Sequence, residues 1–345
     1  MKIKLKRRMS GVLAFLMCFM TLFSMGAAPV HAATQTSTSY MISYPRDGDT
    51  GADRGTNTWG HSAKTFMNGW KDNAGEVFTA HAQDSYTGKV CYCIEPGVVR
   101  HVGDTYNGFG EDFWDNYPDK YNNTINPSTI KLLLGRIMQY GYQGNLSLQW
   151  KSQNKSDADK LGHIMATQVL IWETIVGERD ANFEHVSTGG KDTMKSMIGK
   201  GNPCYDEFIS HYNSIVSSVK SHTVIPSFMA KSSGKADVFE LEWNGSEYVA
   251  TMTDTNGVLD KYSFSSDVTG MNFSKSGNTL TITTKEAPKD SVKITASKSQ
   301  QRKGVLVWSD QKYGPNGGIQ DVVTYSASVS DPVKAYVNVK VSYGS

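Results

Sequence analysis

The sequence has no excess of charge of either sign and no hydrophobic run long enough to span a membrane. Its 345 residues include 35 lysines and arginines against 33 aspartates and glutamates, a formal charge of +2. Such a balance does not favour nucleic-acid binding. The apolar run from Val12 to Phe23 is too short to cross a bilayer comfortably. We therefore expect no nucleic-acid partner and no membrane span in the mature chain.

Residues 1–32 have the pattern of a secretory signal peptide. A basic start of five lysines and arginines precedes the apolar run, and a small-residue cleavage site ends at Ala32. Removing these five basic residues leaves 30 basic against 33 acidic residues, a charge of −3. The end of the chain at Ser345 shows no apolar tail and no Leu-Pro-x-Thr-Gly sorting motif. We expect a secreted or extracellular cell-surface protein that is released, held by another protein, or part of a longer one.

Cysteine is scarce. Of the four cysteines, Cys18 lies in the leader, so the mature chain keeps Cys91, Cys93 and Cys204. Because three thiols in an oxidising compartment can form only one disulfide within the chain, one sulfur is left outside that pairing. A bridge between Cys91 and Cys93 would be strained because only one residue separates them.

An amphipathic helix is predicted over residues 161–175. Ser156, with Asp159 three residues later, resembles a capping box, and Gly177 marks the end of the helix. Gln168 interrupts the apolar stripe, where a buried amide must be fully hydrogen-bonded. It is either a satisfied core amide or a functional group. The stripe comprises Leu161, Ile164, Met165, Ile171, Trp172 and Ile175.

A strand is predicted around the two neighbouring cysteines, residues 89–95. Val90, Tyr92 and Ile94 alternate with the two cysteines and a glutamate, as on a strand, so both thiols point to one face. The hairpin partner is predicted over Glu76 to Gln83.

Together, the strand and the helix resemble the bacterial surface thioester domain, a family often called TQXA. The resemblance covers roughly the first two thirds of the mature chain. One position departs from the family pattern, since Leu170 stands where the family nickname has alanine. The residues that carry the resemblance are Tyr92, Cys93, Ile94, Gly141, Tyr142, Gly144, Ala166, Thr167, Gln168, Ile171 and Trp172.

The resemblance implies an internal thioester between the sulfur of Cys93 and the side-chain carbonyl of Gln168. A lysine amine of a host or cell-surface protein would then attack the carbonyl and form a covalent isopeptide bond. This implies a single-use covalent adhesin rather than an enzyme, and it needs no cofactor. Tyr92, Trp172 and Trp114 are candidates for shielding the bond from water. If Cys93 is used in this way, Cys91 and Cys204 remain as a candidate disulfide, or one stays a buried thiol.

The expected fold class is α+β, with a thioester domain over residues 33–224 and an all-β, immunoglobulin-like sandwich over residues 225–345. In the first domain we predict a strand near Tyr40 to Tyr44, a helix over Pro127 to Tyr140, and a third helix from Asn202 with Cys204 in its first turn. Residues 106–121 are rich in aromatics without a regular period, which predicts a long ordered loop.

The second domain is predicted from short alternating runs separated by Asn-Gly and similar turns. Lys293 and Asn338 could form an isopeptide cross-link there, although a solvated lysine and an ordinary strand asparagine are favoured. The predicted strands are Val238 to Trp243, Tyr248 to Thr253, Leu280 to Thr284, Val292 to Ala296, Val305 to Trp308, Val322 to Ala327 and Ala335 to Tyr343.

Three other functions compete with the covalent adhesin. A thiol protease would need its cysteine beside a base, but the sequence around Cys93 lacks the cysteine signature of such proteases, and nothing in the sequence supports His101 or His163 as the base. A zinc site is a poor match to Cys-x-Cys with scattered histidines. The stronger rival is a non-covalent adhesin or cell-wall-binding module in which the cysteines are structural.

Overall fold

The computed structural model describes residues 36–43, 80–84, 89–96, 105–117, 121, 125–145, 154–187, 194–198, 200, 204–309 and 320–342. The predicted signal peptide, residues 76–79 and His101 lie outside these ranges. Within them, the fold class α+β is confirmed by helices and strands in separate segments. The helices are α1 (Pro127–Tyr140), α2 (Lys155–Ile175) and α3 (Tyr205–His222).

The strands of the first half are β1 (Thr36–Ser43), β2 (Ala80–Asp84), β3 (Val90–Cys93) and β4 (Thr105–Phe109). Those of the second half are β5 (Val238–Trp243), β6 (Tyr248–Thr253), β7 (Ser263–Ser266), β8 (Asn272–Ser276), β9 (Thr279–Thr284), β10 (Val292–Lys298), β11 (Gln301–Ser309), β12 (Val322–Ser330) and β13 (Val333–Val341).

Six strands close into a barrel in the order β1-β2-β3-β12-β11-β4. All of its neighbouring strands pair antiparallel. The register places Cys93 opposite Val322 and Tyr92 opposite Val323. The cysteine strand is therefore held on one side by β2, as predicted, and on the other side by a strand more than 200 residues later in the chain. We call the barrel and the three helices the head.

The helices pack on the barrel through one hydrophobic core. Residues of all three helices and the barrel side chains Val305, Val307 and Val323 belong to the same cluster of buried residues. Gly135 allows α1 to approach β11 closely, since a Cβ atom at this position would lie 2.5 Å from the carbonyl oxygen of Lys303.

The bounds of α1 agree with the sequence prediction, and α2 begins slightly earlier than expected. Its N-cap is Asn154, whose side chain accepts hydrogen bonds from the backbone N–H groups of Ser156 and Asp157, so the predicted capping box at Ser156 is wrong. Gly177 has a φ of 85°, the left-handed conformation expected just after a helix end. In α3, Cys204 occupies the N-cap rather than the first turn.

The aromatic segment after residue 105 is more regular than the predicted loop. It begins with β4 and continues in a 3₁₀ helix, Glu111–Asn116. This helix packs the rings of Phe113 and Trp114 edge to face with centroids 5.7 Å apart. The 3₁₀ geometry lacks the 3.6-residue period, which explains why the pattern was not visible in the sequence.

The remaining seven strands form a sheet in the order β7-β10-β13-β5-β6-β9-β8. The first four residues of β5 pair with β13, and its last two residues pair with β6. The strand thus joins two four-stranded halves around one apolar core. Counting the seven strands in chain order as A to G gives the ABED and CFG sets of an immunoglobulin-like sandwich. We call this unit the sandwich.

The pairing of β11 and β12 corrects the predicted division at residue 225. These strands follow β10 of the sandwich, yet they leave it as a hairpin and complete the barrel of the head before the chain returns as β13. Their inward side chains, including Val305 and Val323, need the core that the helices provide. The sandwich therefore comprises residues 238–298 and 333–341, and the head contains the hairpin 301–330.

Buried polar contacts hold the joint between the two units. Asp331, between β12 and β13, accepts hydrogen bonds from Arg136 of α1 at 2.7 and 3.0 Å, and its carboxylate lies 2.9 Å from Nε2 of His222 in α3. Lys298, at the end of β10, donates to the carbonyl oxygens of Ser221 and Val224. Each unit thus contributes side chains to the attachment of the other.

Two expectations about the outer surface can be compared with the fold. Lys293 and Asn338 are register partners on β10 and β13. Lys293 is exposed and its ammonium lies 4.0 Å from Asp267, which agrees with the solvated lysine that was favoured.

In the part of the chain that the structure describes, no helix has the length and apolar character needed to cross a membrane.

Candidate functional site

The predicted reactive pair, Cys93 and Gln168, is brought together by the packing of α2 against β3. Cys93 is the last residue of β3, and Gln168 lies in the middle of α2. The backbone N–H of Cys93 donates to Oε1 of Gln168 at 2.7 Å, and Nε2 of Gln168 donates to the carbonyl oxygen of Cys93 at 2.9 Å. These two hydrogen bonds place the glutamine amide beside the cysteine main chain, across 75 residues of sequence.

The orientation of this amide has a chemical consequence. A backbone N–H that donates to the glutamine oxygen draws electron density from the carbonyl carbon and stabilises negative charge that develops on the oxygen during nucleophilic attack. The sequence could not identify this donor, because it is a main-chain group of Cys93 itself. The same residue thus carries the candidate thiol and the N–H that is bonded to the glutamine oxygen.

The two residues differ in exposure. The thiol residue Cys93 is buried, with 7% of its surface exposed, whereas Gln168 is only partly buried. Gln168 therefore lies at the edge of the apolar stripe rather than fully inside it as the helix pattern predicted. The glutamine residue is thus more exposed to solvent than the cysteine.

A second set of hydrogen bonds connects the residues that precede Cys93 and Gln168. The hydroxyl of Tyr92 donates to the carbonyl oxygen of Tyr142 at 2.9 Å, and the N–H of Tyr142 donates to Thr167 Oγ1 at 3.0 Å. Burial raises the pKa of Tyr92 far above its usual value, so the phenol stays a neutral donor. Tyr142 therefore fixes the strand and the helix relative to each other. Its turn carried part of the family resemblance, but no periodic pattern revealed this contact.

The three candidate shielding residues have different surroundings. Tyr92 and Trp114 are both 1% exposed and belong to the main core, where the Trp114 ring lies 4.8 Å from that of Tyr117. Trp172, one turn after Gln168, is only partly buried. Their role in excluding water from the pair stays a prediction.

The two remaining cysteines lie in different packing clusters. Cys91 packs in a small cluster with Tyr106, Trp308 and Val322, whereas Cys204 is in the main core at the start of α3. This separation gives the predicted disulfide no support. The pairing of Cys91 with Cys204 stays a prediction.

The competing chemistries can be compared with the positions of the histidines. His163 Nε2 lies 3.2 Å from the carbonyl oxygen of Tyr140, and its ring stacks on that of His211 at 4.1 Å. Burial, and then the neighbouring His211, lowers the pKa of His163. The imidazole thus links α2 to Tyr140 of α1 and to His211 of α3. Across the described ranges, no group of three or more His, Cys, Asp or Glu side chains is arranged to hold a metal ion.

Comparison with known families agrees with the two motifs. Residues 90–218 match the family described as the thioester domain. The matched segment begins with β3 and ends within α3, so it contains both Cys93 and Gln168. The predicted resemblance to surface thioester domains is thereby confirmed over these residues. A search of the curated proteins found no match.

Several solved structures are similar to this chain. The thioester domain of the Staphylococcus aureus TIE protein is 19% identical, with a TM-score of 0.39, and the match covers 89% of this chain and 99% of that one. For the Bacillus anthracis TIE protein the identity is 12%, the TM-score 0.35 and the coverage 89% and 49%. The thioester domain of the Enterococcus faecium TIE86 protein is 12% identical, with a TM-score of 0.28 and coverage of 89% and 95%.

Proposed function

We propose that this chain is a secreted or cell-surface adhesin in which Cys93 and Gln168 form an internal thioester that captures a target protein through a lysine amine. The observation that carries the proposal is the pair of hydrogen bonds, 2.7 and 2.9 Å long, between the Gln168 amide and the main chain of Cys93. The match of residues 90–218 to the thioester domain family supports the same chemistry.

The bond forms in one step of acyl transfer. The Cys93 sulfur attacks the side-chain carbonyl carbon of Gln168, the C–N bond of the amide breaks, and ammonia leaves with the thiol proton. The product is an acyl group on a far better leaving group than an amide nitrogen. The N–H of Cys93 stays in position to donate to the carbonyl oxygen in the amide, the intermediate and the thioester.

Target capture is the second acyl transfer. A lysine amine of the target attacks the same carbonyl carbon, the C–S bond breaks, and the proton lost by the amine goes to solvent or to the sulfur. The glutamyl carbonyl then carries an isopeptide bond, and Cys93 is a thiol again. Because the acyl group is consumed, each molecule reacts once and is a covalent binder rather than an enzyme. No cofactor takes part.

A non-covalent adhesin with structural cysteines is the alternative. The two hydrogen bonds of Gln168 are also those that a satisfied structural amide makes, so the contacts alone serve both functions. The two alternatives differ in covalent mass and in the chemistry of the bound state.

Intact mass spectrometry of the secreted protein tests the bond. We expect a mass one ammonia below that of the mature sequence after any disulfide is counted, and no such loss in Cys93→Ala or Gln168→Ala. Cys91→Ala is the matched control, because it removes a buried thiol from the same strand and should retain the loss. A native protein of full mass would contradict the proposal.

Reaction with methylamine and with a target tests the function. Methylamine should add to Gln168 and expose a new thiol at Cys93, both located by peptide mapping. An adduct with a host or cell-surface protein should survive boiling in detergent and reductant, which a surface-complementarity complex does not. If cells are bound equally well by Cys93→Ala, the protein is an adhesin that does not use the covalent mechanism.

A further inference from the structure

The two residues that follow β3, Ile94 and Glu95, are hydrogen-bonded to the segment that leads into β12. The N–H of Ile94 donates to the carbonyl oxygen of Asp321 at 3.1 Å. The side-chain amide of Gln320 donates to the carbonyl oxygen of Glu95 at 3.5 Å. The main chain just beyond the reactive cysteine is thus held by residues 320 and 321.

Glu95 makes two further contacts within this turn. Its carboxylate oxygen Oε2 accepts a hydrogen bond from the backbone N–H of Asp321 at 2.7 Å. Its own backbone N–H donates to Sγ of Cys93 at 3.3 Å. Glu95 therefore connects two parts of the head. Its side chain binds the segment that leads into β12, and its backbone N–H binds the cysteine sulfur.

The burial of Glu95 is costly for a residue with only a packing role. Glu95 and Asp321 are each 1% exposed, and a buried carboxyl loses hydration that an apolar side chain of similar size would not need. The hydrogen bond from the backbone N–H of Asp321 offsets part of that cost. The hydroxyl of Tyr121 also contacts this turn, since it donates to the carbonyl oxygen of Pro96 at 3.5 Å. Burial, and then Tyr117, Cys93, Glu95 and Asp321, raise the pKa of Tyr121.

We propose that Glu95 is a positioning residue for the reaction at Cys93, because its buried carboxylate holds the turn after β3 so that the Glu95 N–H donates to the sulfur. The inference deepens the proposed function and rests on it. It assigns no direct contact between the Glu95 carboxylate and the target amine.

The donor acts on the sulfur in both acyl transfers. When the thioester forms, an N–H directed at the sulfur favours the thiolate that attacks the glutamine carbonyl. When a target amine displaces the sulfur, the electron pair of the C–S bond moves to Sγ, and the same N–H stabilises the negative charge that appears there. Misplacing this N–H should slow both steps.

The test is the pH profile of Cys93 alkylation by iodoacetamide in methylamine-treated protein, read by peptide mapping. Glu95→Ala removes the side-chain hydrogen bond between the turn and Asp321. We expect the rate of Cys93 alkylation near neutral pH to fall about tenfold, equivalent to a thiol pKa about one unit higher. Glu95→Gln keeps a side-chain oxygen that accepts from the Asp321 N–H. We expect its rate to be at least about half of the wild-type rate, since the hydrogen bond and not the charge is required.

Glu111→Ala is the matched control. The Glu111 carboxylate also accepts a barrel-strand N–H, that of Val305 at 3.3 Å, and is bound by Arg302. Its loss should destabilise the barrel while the Cys93 pH profile stays unchanged. The proposal is overturned if Glu95→Ala has the wild-type profile, if Glu95→Gln is impaired as strongly as Glu95→Ala, or if Glu111→Ala shifts the profile equally.

Failure of the two proposals can be distinguished. A wild-type protein without ammonia loss overturns the proposed function, and Cys93 is then alkylated directly, without methylamine. The placement of the sulfur donor is tested by the same three variants in that case. A wild-type protein that loses ammonia, together with an unaltered profile in Glu95→Ala, overturns the role of Glu95 alone.

Discussion

The head and the sandwich stabilise their cores in different ways. The sandwich core consists of aliphatic side chains on alternating strand positions, such as Leu241, Ile282 and Val337, with Tyr262 and two methionines. The head has an equally apolar centre but also buries charged groups in hydrogen-bonded networks. Those networks include Glu173 with Arg179, Arg302 with Glu111, and Asp331 with Arg136 and His222.

The difference teaches how far a local pattern determines each unit. In the sandwich, the alternation of apolar and polar residues along a strand specifies which face of that strand is buried, whichever strands pair with it. Several buried polar groups of the head instead need partners from distant segments: 191 residues separate Arg302 from Glu111, and 226 separate Asp321 from Glu95. The head therefore depends on the complete chain, including the hairpin that leaves the sandwich.

Removing that hairpin should have the largest effect. Lys298 and Val333 are register partners at the ends of β10 and β13, so a short Gly-rich turn can replace residues 299–332. We expect the sandwich to keep one cooperative unfolding transition and the head to lose its fold, since two of six barrel strands are missing. Thermal melts followed by circular dichroism, with intact mass, check this. Ammonia loss in the shortened chain would show that the head folds without the hairpin.

A break in the buried charge network of the head should have the next largest effect. Glu173 is 0% exposed and accepts from Arg179 at 2.7 Å and from the hydroxyl of Tyr212 at 2.7 Å. Glu173→Ala leaves the guanidinium buried and unpaired, which should lower the free energy of unfolding of the head by about 3–5 kcal/mol. Urea denaturation measures the change, and the transition of the sandwich should stay in place.

The control for this variant is an exposed pair of the same head. Lys220 and Glu184 lie 2.6 Å apart with side chains 41% and 56% exposed, so Lys220→Ala should cost no more than about 1 kcal/mol. Equal losses for Glu173→Ala and Lys220→Ala would contradict the distinction between buried and exposed charges.

One buried carboxyl in each unit should make an opposite contribution to the pH dependence of stability. Burial raises the pKa of Glu178 to about 7 in the head. Because an unfolded glutamate has a pKa of about 4.3, this group stabilises the head fully below that pH and loses its contribution as the pH rises through 7. In the sandwich, burial by itself would raise the pKa of Asp254. Hydrogen bonds from backbone N–H groups, including those of Ser227 and Val258, nevertheless hold this pKa below its usual value. Asp254 therefore stabilises the sandwich above about pH 4 and loses that contribution in more acid solution.

Glu178→Gln tests the head side of this difference. The variant should flatten the pH dependence of the head between pH 5 and 7, by at most about 1.4 kcal/mol per pH unit. Denaturation curves at several pH values measure the slope. Identical slopes in the wild type and the variant would show that Glu178 does not titrate in this range.

The smallest effect is expected at Lys293 on the surface of the sandwich. Its ammonium is exposed and 4.0 Å from Asp267, so Lys293→Ala should change the free energy of unfolding by no more than about 0.5 kcal/mol. The intact mass should show no second ammonia loss. A second loss in the wild type that disappears in Lys293→Ala would instead establish a cross-link with Asn338.

Local patterns were sufficient for the elements with a strong period. The helix over Pro127 to Tyr140 and the strands β5 and β6 have the predicted bounds, because their apolar residues recur with the period of the element and their ends carry Pro, Gly or Asn. The short strands β7 and β8 were missed, since their sequences are polar and mostly exposed. Periodicity detects only the residues that a core requires.

The amino-acid sequence by itself predicted Cys93 and Gln168 as the candidate reactive residues, since each breaks an apolar pattern in a recognisable motif. Only the tertiary structure decided which groups surround them: the Cys93 N–H on the glutamine oxygen, the Tyr142 link, and the Glu95 N–H on the sulfur. It also decided that the hairpin of β11 and β12 belongs to the head. The physical reason is that side-chain spacing along one element is local, whereas a hydrogen bond to a main-chain group, or a strand's choice of neighbour, depends on segments brought together only by packing.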